Sequence, residues 1–144
     1  MPRNRQCVAE GLVELVTHRG ARVVEHDRDD LDAVFTLRAH AEGLAARAAA
    51  ERAVPADTAR LQALADGIAA AAAPPEPDLD TVYALNRRFH DLLLDLAGSP
   101  VLRQVVDGLV HSSVLLRTYQ AFDAEALRRS CDHHREVVAA VRAA

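Results

Sequence analysis

An all-α protein, an antiparallel helical bundle preceded by a short β-hairpin, is the fold class this sequence predicts. Three observations lead there. Half of the 144 residues are hydrophobic but only 3% are aromatic, with no tryptophan, so the core must be built from Leu, Val and Ala, which suits closely packed helices better than a sheet sandwich. From Asp29 onward apolar residues recur at three- and four-residue steps, the period of a helix with one buried face. Prolines fall between these periodic runs rather than inside them, and Gly98-Ser-Pro100 adds a glycine stop, as terminators do. A chain of this length buries one good core.

The first segment reads differently. Gly11 to Val16 alternates over a β-branched stretch, Thr17-His-Arg-Gly20 supplies a turn, and Ala21 to Val24 returns as a second strand. This is a candidate hairpin with basic residues at its tip, and it divides the chain into residues 1–28 and a bundle over 29–144. The first bundle helix starts with an acidic turn, sets Leu31, Val34, Phe35, Arg38, Ala41, Glu42 and Ala45 on one side, and runs to about Ala53 before Pro55. A second covers Ala56 to Ala73 with Leu61, Leu64, Ala65 and Ile68 as its stripe, and Pro74-Pro-Glu-Pro77 stops it. Asp78 or Asp80 caps a third helix to Ala97, which ends at Gly98-Ser-Pro100. A fourth is expected from Val101 to about Phe122, and a fifth from Asp123 to the end.

Composition excludes several classes. All seventeen basic residues are arginine and the formal charge is −4, which argues against a nucleic-acid coat. The charge is uneven: residues 1–28 carry +1 and residues 29–144 carry −5. Cys7 and Cys131 are too few and too far apart for a disulfide framework or zinc knuckle, so a reducing compartment is the simpler assumption. No apolar run reaches membrane-spanning length and no signal-peptide core is visible. These features predict a cytoplasmic protein with no membrane partner.

Asn86-Arg-Arg-Phe-His90 is the stretch with most chemical content. A four-residue step stacks Asn86 and His90 on one helix face, and His134 from a later helix can complete the cluster. A side-chain oxygen and two imidazoles are the beginning of a metal site in a bundle; the plainer reading is ordinary polar side chains satisfied locally. His134 rather than His133 is expected to face inward, because Val137, Val138 and Val141 lie three, four and seven residues after it. His111 is read as a polar residue satisfied within the bundle, His40 as surface, and Arg87, Arg88 and Arg135 as a solvated rim.

Together these stretches resemble the GntR-type bacterial transcription regulators of the FadR subfamily, whose C-terminal ligand-sensing domain is called FCD. Ala9-Glu-Gly-Leu-Val-Glu-Leu15 and His18-Arg-Gly-Ala-Arg-Val23 look like the end of a recognition helix and the wing of a winged helix-turn-helix. Leu37-Arg38 to Glu42, Asn86 to His90, Ala97-Gly-Ser-Pro-Val-Leu102 and His134 to Arg142 look like the FCD signature in its family order. The resemblance implies that Asn86, His90 and His134 occupy three positions of a divalent-metal site, with Zn or Ni as the ion, and that the metal receives a carboxylate effector. It places Arg38 in the effector pocket, where a guanidinium grips a carboxylate bidentately; equally, Arg38 is an intrahelical partner for Glu42. His18, Arg19 and Arg22 fall on the wing as residual DNA contacts, and the bundle is expected to pair as a homodimer through alanine-rich faces of the first and fourth helices.

Two departures from the family pattern shape the expectations. Against the family, the sequence reads as truncated at both ends: most of the winged-helix core and a final helical segment with the last histidine ligand are missing. Operator DNA is therefore expected as a partner only of an intact, full-length form, and metal binding is expected to be weak. Enzymatic activity is not expected. His90-Asp91 resembles the central pair of HD-type metal phosphohydrolases, but the companion histidine and aspartate stand at no recognisable positions, and no phosphate loop or activated nucleophile is present. A third reading is a dimerisation module that senses nothing.

Overall fold

The computed structural model describes residues 13–16, 20–23, 28–109 and 121–144. Two strands, β1 (Val13–Val16) and β2 (Gly20–Val23), pair antiparallel with Val13 opposite Val23 and Val16 opposite Gly20. Gly20 adopts φ 89°, a left-handed conformation that glycine alone takes at no steric cost. Five helices follow among the described residues: α1 (Arg28–Ala50), α2 (Pro55–Ala71), α3 (Leu79–Ala97), α4 (Pro100–Leu109) and α5 (Ala124–Ala143).

Local chemistry sets the boundaries. α1 ends three residues short of the expected Ala53: Arg52 and Ala53 donate back to the Ala49 carbonyl, and Pro55 forces Val54 into an extended conformation (φ −96°, ψ 164°). Pro55 opens α2 in a position where its missing N–H costs nothing, and Asp57 accepts from the Val54 N–H at 3.2 Å. Of the two caps open to α3, Asp78 is used; its carboxylate accepts from the backbone N–H of Thr81 at 3.0 Å and from the Thr81 hydroxyl at 2.7 Å. These bonds hold the Asp78 carboxyl below its usual range. Gly98 closes α3 at φ 63°. α4 starts one residue before the expected Val101, with Ser99 accepting from the Leu102 N–H at 3.3 Å; the expected continuation toward Phe122 crosses residues 110–120, outside the described residues. Asp123 caps α5 through the Ala126 N–H at 2.7 Å.

The core has two parts. The larger joins Leu61, Ala65 and Ile68 of α2 to Val82, Phe89 and Leu93 of α3 and Leu127, Val138 and Val141 of α5. The smaller sets Ala41 and Ala45 of α1 against Leu94 and Ala97 of α3 and Val106 of α4. Ala41, Ala45 and Ala49 of α1 lie inside the bundle, where their small side chains let α3 approach, while Ala33 and Ala39 are exposed. Leucines lie outside instead: Leu37 and Leu44 are more than half exposed, as is Val101 of α4. Arg52 ties the ends of two helices together, donating to the Ala48 carbonyl at 3.1 Å and the Ala97 carbonyl at 2.9 Å.

Candidate functional site

Three helices bring polar side chains to one place inside this apolar frame. α1 contributes Arg38 and Glu42, α3 contributes Asn86 and His90, and α5 contributes His134. Arg38, Asn86 and His134 are buried. The four-residue steps Arg38–Glu42 and Asn86–His90 place each pair on one face of its helix, and burial of Ala41, Ala45, Phe89 and Leu93 turns those faces inward.

Two contacts hold the cluster together, and the first joins α3 to α5. His134 Nδ1 lies 2.6 Å from the Ser130 carbonyl oxygen; a carbonyl only accepts, so Nδ1 carries the proton. Nε2 then presents a lone pair when the ring is neutral, and burial, the largest influence, holds the His134 pKa below its ordinary value. That nitrogen stands 2.9 Å from Oδ1 of Asn86. Two acceptors at this distance require a half-turn of the amide, so that its NH2 donates, or a cation beside both.

The second contact joins α1 to α3. Oε1 of Glu42 accepts from Nε of Arg38 at 2.7 Å and stands 3.2 Å from Nδ1 of His90. The line to His90 is poor for a hydrogen bond, and buried Nδ1 has no partner. Although the ring keeps 24% of its surface open, this nitrogen does not. Burial, with the Arg38 charge adding to it, pushes the His90 pKa down to about 3. Burial also raises the Glu42 carboxyl, and Arg38 opposes that rise. Phe89 packs edge-on against both imidazoles, 5.7 Å from the His90 ring and 4.8 Å from His134. The two imidazole centroids are 5.7 Å apart.

A cavity of about 470 Å³ opens beside this cluster, with Arg38, Asn86, Arg87, His90, Asp91 and Arg103 on its walls. Arg103 donates to the Asp91 carbonyl at 2.9 Å and to Asp95 at 2.7 Å. Asp91, which an HD-type reading would make a metal ligand, lies 3.5 Å from Arg103 and 3.9 Å from Arg87 as their charge partner.

The structure therefore gathers Arg38, Asn86, His90 and His134 into one site. It adds Glu42, which the sequence offered only as a partner for Arg38; the available signal was an acid on the same inward stripe as Ala41 and Ala45. His133 is exposed, and His40 is too, with Nδ1 2.8 Å from the Thr36 carbonyl. Arg22 lies on β2 opposite Glu14, whereas His18, Arg19 and His111 lie outside the described residues. Among the described residues, no three His, Cys, Asp or Glu side chains converge as a ready-made metal triad. The donors stand instead as two facing pairs, Glu42 with His90 and Asn86 with His134. An unpartnered buried imidazole nitrogen, a second imidazole with its proton fixed on the far side, an amide oxygen and a carboxylate are a donor set that fits a borderline divalent ion.

The bundle thus carries a cavity lined by arginines and aspartates alike, with Asn86 and His90 on its wall. The chain belongs to the FCD domain family, the ligand-sensing domain of GntR-type regulators: the family model described as FCD domain matches residues 33–144. Its fold is similar to that of E. coli McbR/YncC, with a TM-score of 0.79 and 22% identity over 96% of this chain and 69% of that one. It is also similar to a transcriptional regulator, a GntR family member, from Pseudomonas syringae pv. tomato, with a TM-score of 0.52 and 23% identity over 98% of this chain and 68% of that one. No curated protein sequence matches. No helix among the described residues is long and apolar enough to cross a membrane.

Proposed function

We propose that this bundle senses a small carboxylate on behalf of a GntR/FadR-type transcription regulator, with Arg38 gripping the carboxylate and a divalent metal, Zn²⁺ or Ni²⁺, held by Asn86, His90 and His134. The observation that carries this reading is the shared cavity of about 470 Å³, which has Arg38, Asn86 and His90 on its wall. Among the described residues Arg38 commits only Nε, to Glu42, so its terminal nitrogens remain for a second carboxylate. Arg87 and Arg103 on the same wall are balanced by Asp91 and Asp95, so the reading rests on Arg38 as the group that meets an anion. When bound, the metal supplies a Lewis-acidic anchor for the effector's oxygen.

In this reading the β1–β2 hairpin is the wing of a DNA-binding domain, with His18, Arg19 and Arg22 near phosphate, and operator binding belongs to the intact regulator. The regulator works in the cytoplasm as a homodimer and catalyses no reaction. Exposed Leu37, Leu44, Val101 and Val105 on α1 and α4 support a pairing face there, since an apolar patch of this kind gains from being covered. Ligand in the bundle would act on the wings as a coupling between two sites.

Thermal shift with a panel of small mono- and dicarboxylates, each with and without Zn²⁺, tests the reading. A carboxylate should stabilise the wild type in a concentration-dependent way and stabilise Arg38→Ala far less. Equal stabilisation of both proteins would remove Arg38 from the site.

A further inference from the structure

The Glu42 carboxylate faces His90 in a way that neither its ion pair with Arg38 nor the neutral histidine explains. Oε1 already accepts from Arg38 Nε at 2.7 Å, and 3.2 Å away lies the buried Nδ1 of His90, which has no hydrogen-bond partner. A lone pair on that nitrogen would repel the carboxylate, and a proton on it would point off the line to Oε1. For the neighbouring Asn86–His134 pair a half-turn of the amide exchanges acceptor for donor. No such turn helps the ionised Glu42 carboxylate, because both of its oxygens then accept.

A cation beside both atoms resolves the contact. Ligand bonds of about 2.0–2.2 Å from imidazole nitrogen and carboxylate oxygen set two donors on the same ion about 3–3.5 Å apart. The 3.2 Å between Glu42 and His90 falls in that interval, and the 2.9 Å between Asn86 and His134 lies just at its edge. We infer that Glu42 is itself a ligand of the metal, completing a set of His90, His134 and Asn86 with one donor from α1. The inference rests on the metal reading above and goes beyond it.

The remaining three donors are neutral, so Glu42 is the member that brings negative charge to the ion. Arg38 Nε stays on the same carboxylate as its outer partner, the arrangement that fixes a ligand's orientation. Drawing the two facing pairs onto one centre requires their side chains to rotate from the positions they hold, since no three of the His, Cys, Asp or Glu donors among the described residues already converge. The result fastens α1 to α3 and α5 through the metal, with ion and Arg38 sharing the one carboxylate.

Calorimetric titration of the full chain with Co²⁺ alone, followed by the visible spectrum of the Co²⁺-bound protein, tests this. Glu42→Gln, close to isosteric, should weaken Co²⁺ at least tenfold and change the d–d bands. Glu42→Asp keeps the charge and should bind more tightly than Glu42→Gln. Equal affinity and an unchanged spectrum in Glu42→Gln, while His90→Ala loses the ion, would overturn the Glu42 assignment and leave the metal reading standing. Failure of the wild type to bind Co²⁺ would overturn both.

Discussion

Nε2 of His134 and Oδ1 of Asn86 stand 2.9 Å apart, joining α5 to α3 where both side chains are buried. Whether the amide turns to donate or a cation sits beside the pair, each group depends on the other for its polar partner. Asn86→Ala leaves a buried imidazole nitrogen unsatisfied, which costs about 1–3 kcal/mol. Urea unfolding of the metal-free protein should show that loss as a lower midpoint with an unchanged slope.

Phe89 is fully buried and touches both imidazoles edge-on. Phe89→Ala should cost about 3–5 kcal/mol, the range for emptying an aromatic from a packed core. Since a domain has only about 5–15 kcal/mol to lose, thermal melting should fall steeply. Phe89→Leu should keep most of the stability while slackening the two rings.

Stability should also depend on pH in a defined direction. Folding lowers the pKa of His90, from 6.5 to about 3, and that of His134, so the unfolded chain binds more protons below pH 6.5. Their contribution is complete above pH 6.5 and is lost as pH falls toward 3. Glu42, whose pKa is raised, works in the opposite sense, its contribution fading as pH rises above 4.5. The two histidines outnumber it, so the metal-free protein should weaken from pH 6.5 downward. Chemical unfolding at pH 7, 6, 5 and 4 measures the slope, and His90→Leu should flatten it.

Leu44 is 58% exposed on α1, and Leu37 lies seven residues earlier on the same face. If α1 and α4 form the pairing surface, Leu44→Arg should shift the protein toward monomer in sedimentation velocity and leave its helical content unchanged. Wild-type monomer across micromolar concentrations would contradict the pairing.

Local signals were legible where one helix decides the matter. The valine spacing after His134 distinguishes it from His133 because a single helix face settles the choice. The stop of α2 at the proline run, an aspartate cap at residue 78 or 80 and the αL glycine at residue 98 are equally local, though only the structure selects Asp78. The exposed leucines of α1 were legible only by exclusion: the stripe through Ala41 and Ala45 leaves Leu37 and Leu44 off the inward side, and close approach of α3 favours alanine at the contact. Glu42 was half visible. Its i+4 relation to Arg38 is written in the sequence, but His90 comes from another helix 48 residues away, and only the packing of α1 on α3 brings the two together.

The most direct test of the account is titration calorimetry of the full chain with Zn²⁺ at pH 7.5, comparing wild type with His90→Ala. Burial keeps His90 neutral and ready to ligate throughout this range. The account predicts a one-to-one complex in the wild type and binding at least tenfold weaker in His90→Ala. Equal Zn²⁺ affinity in the two proteins would contradict it.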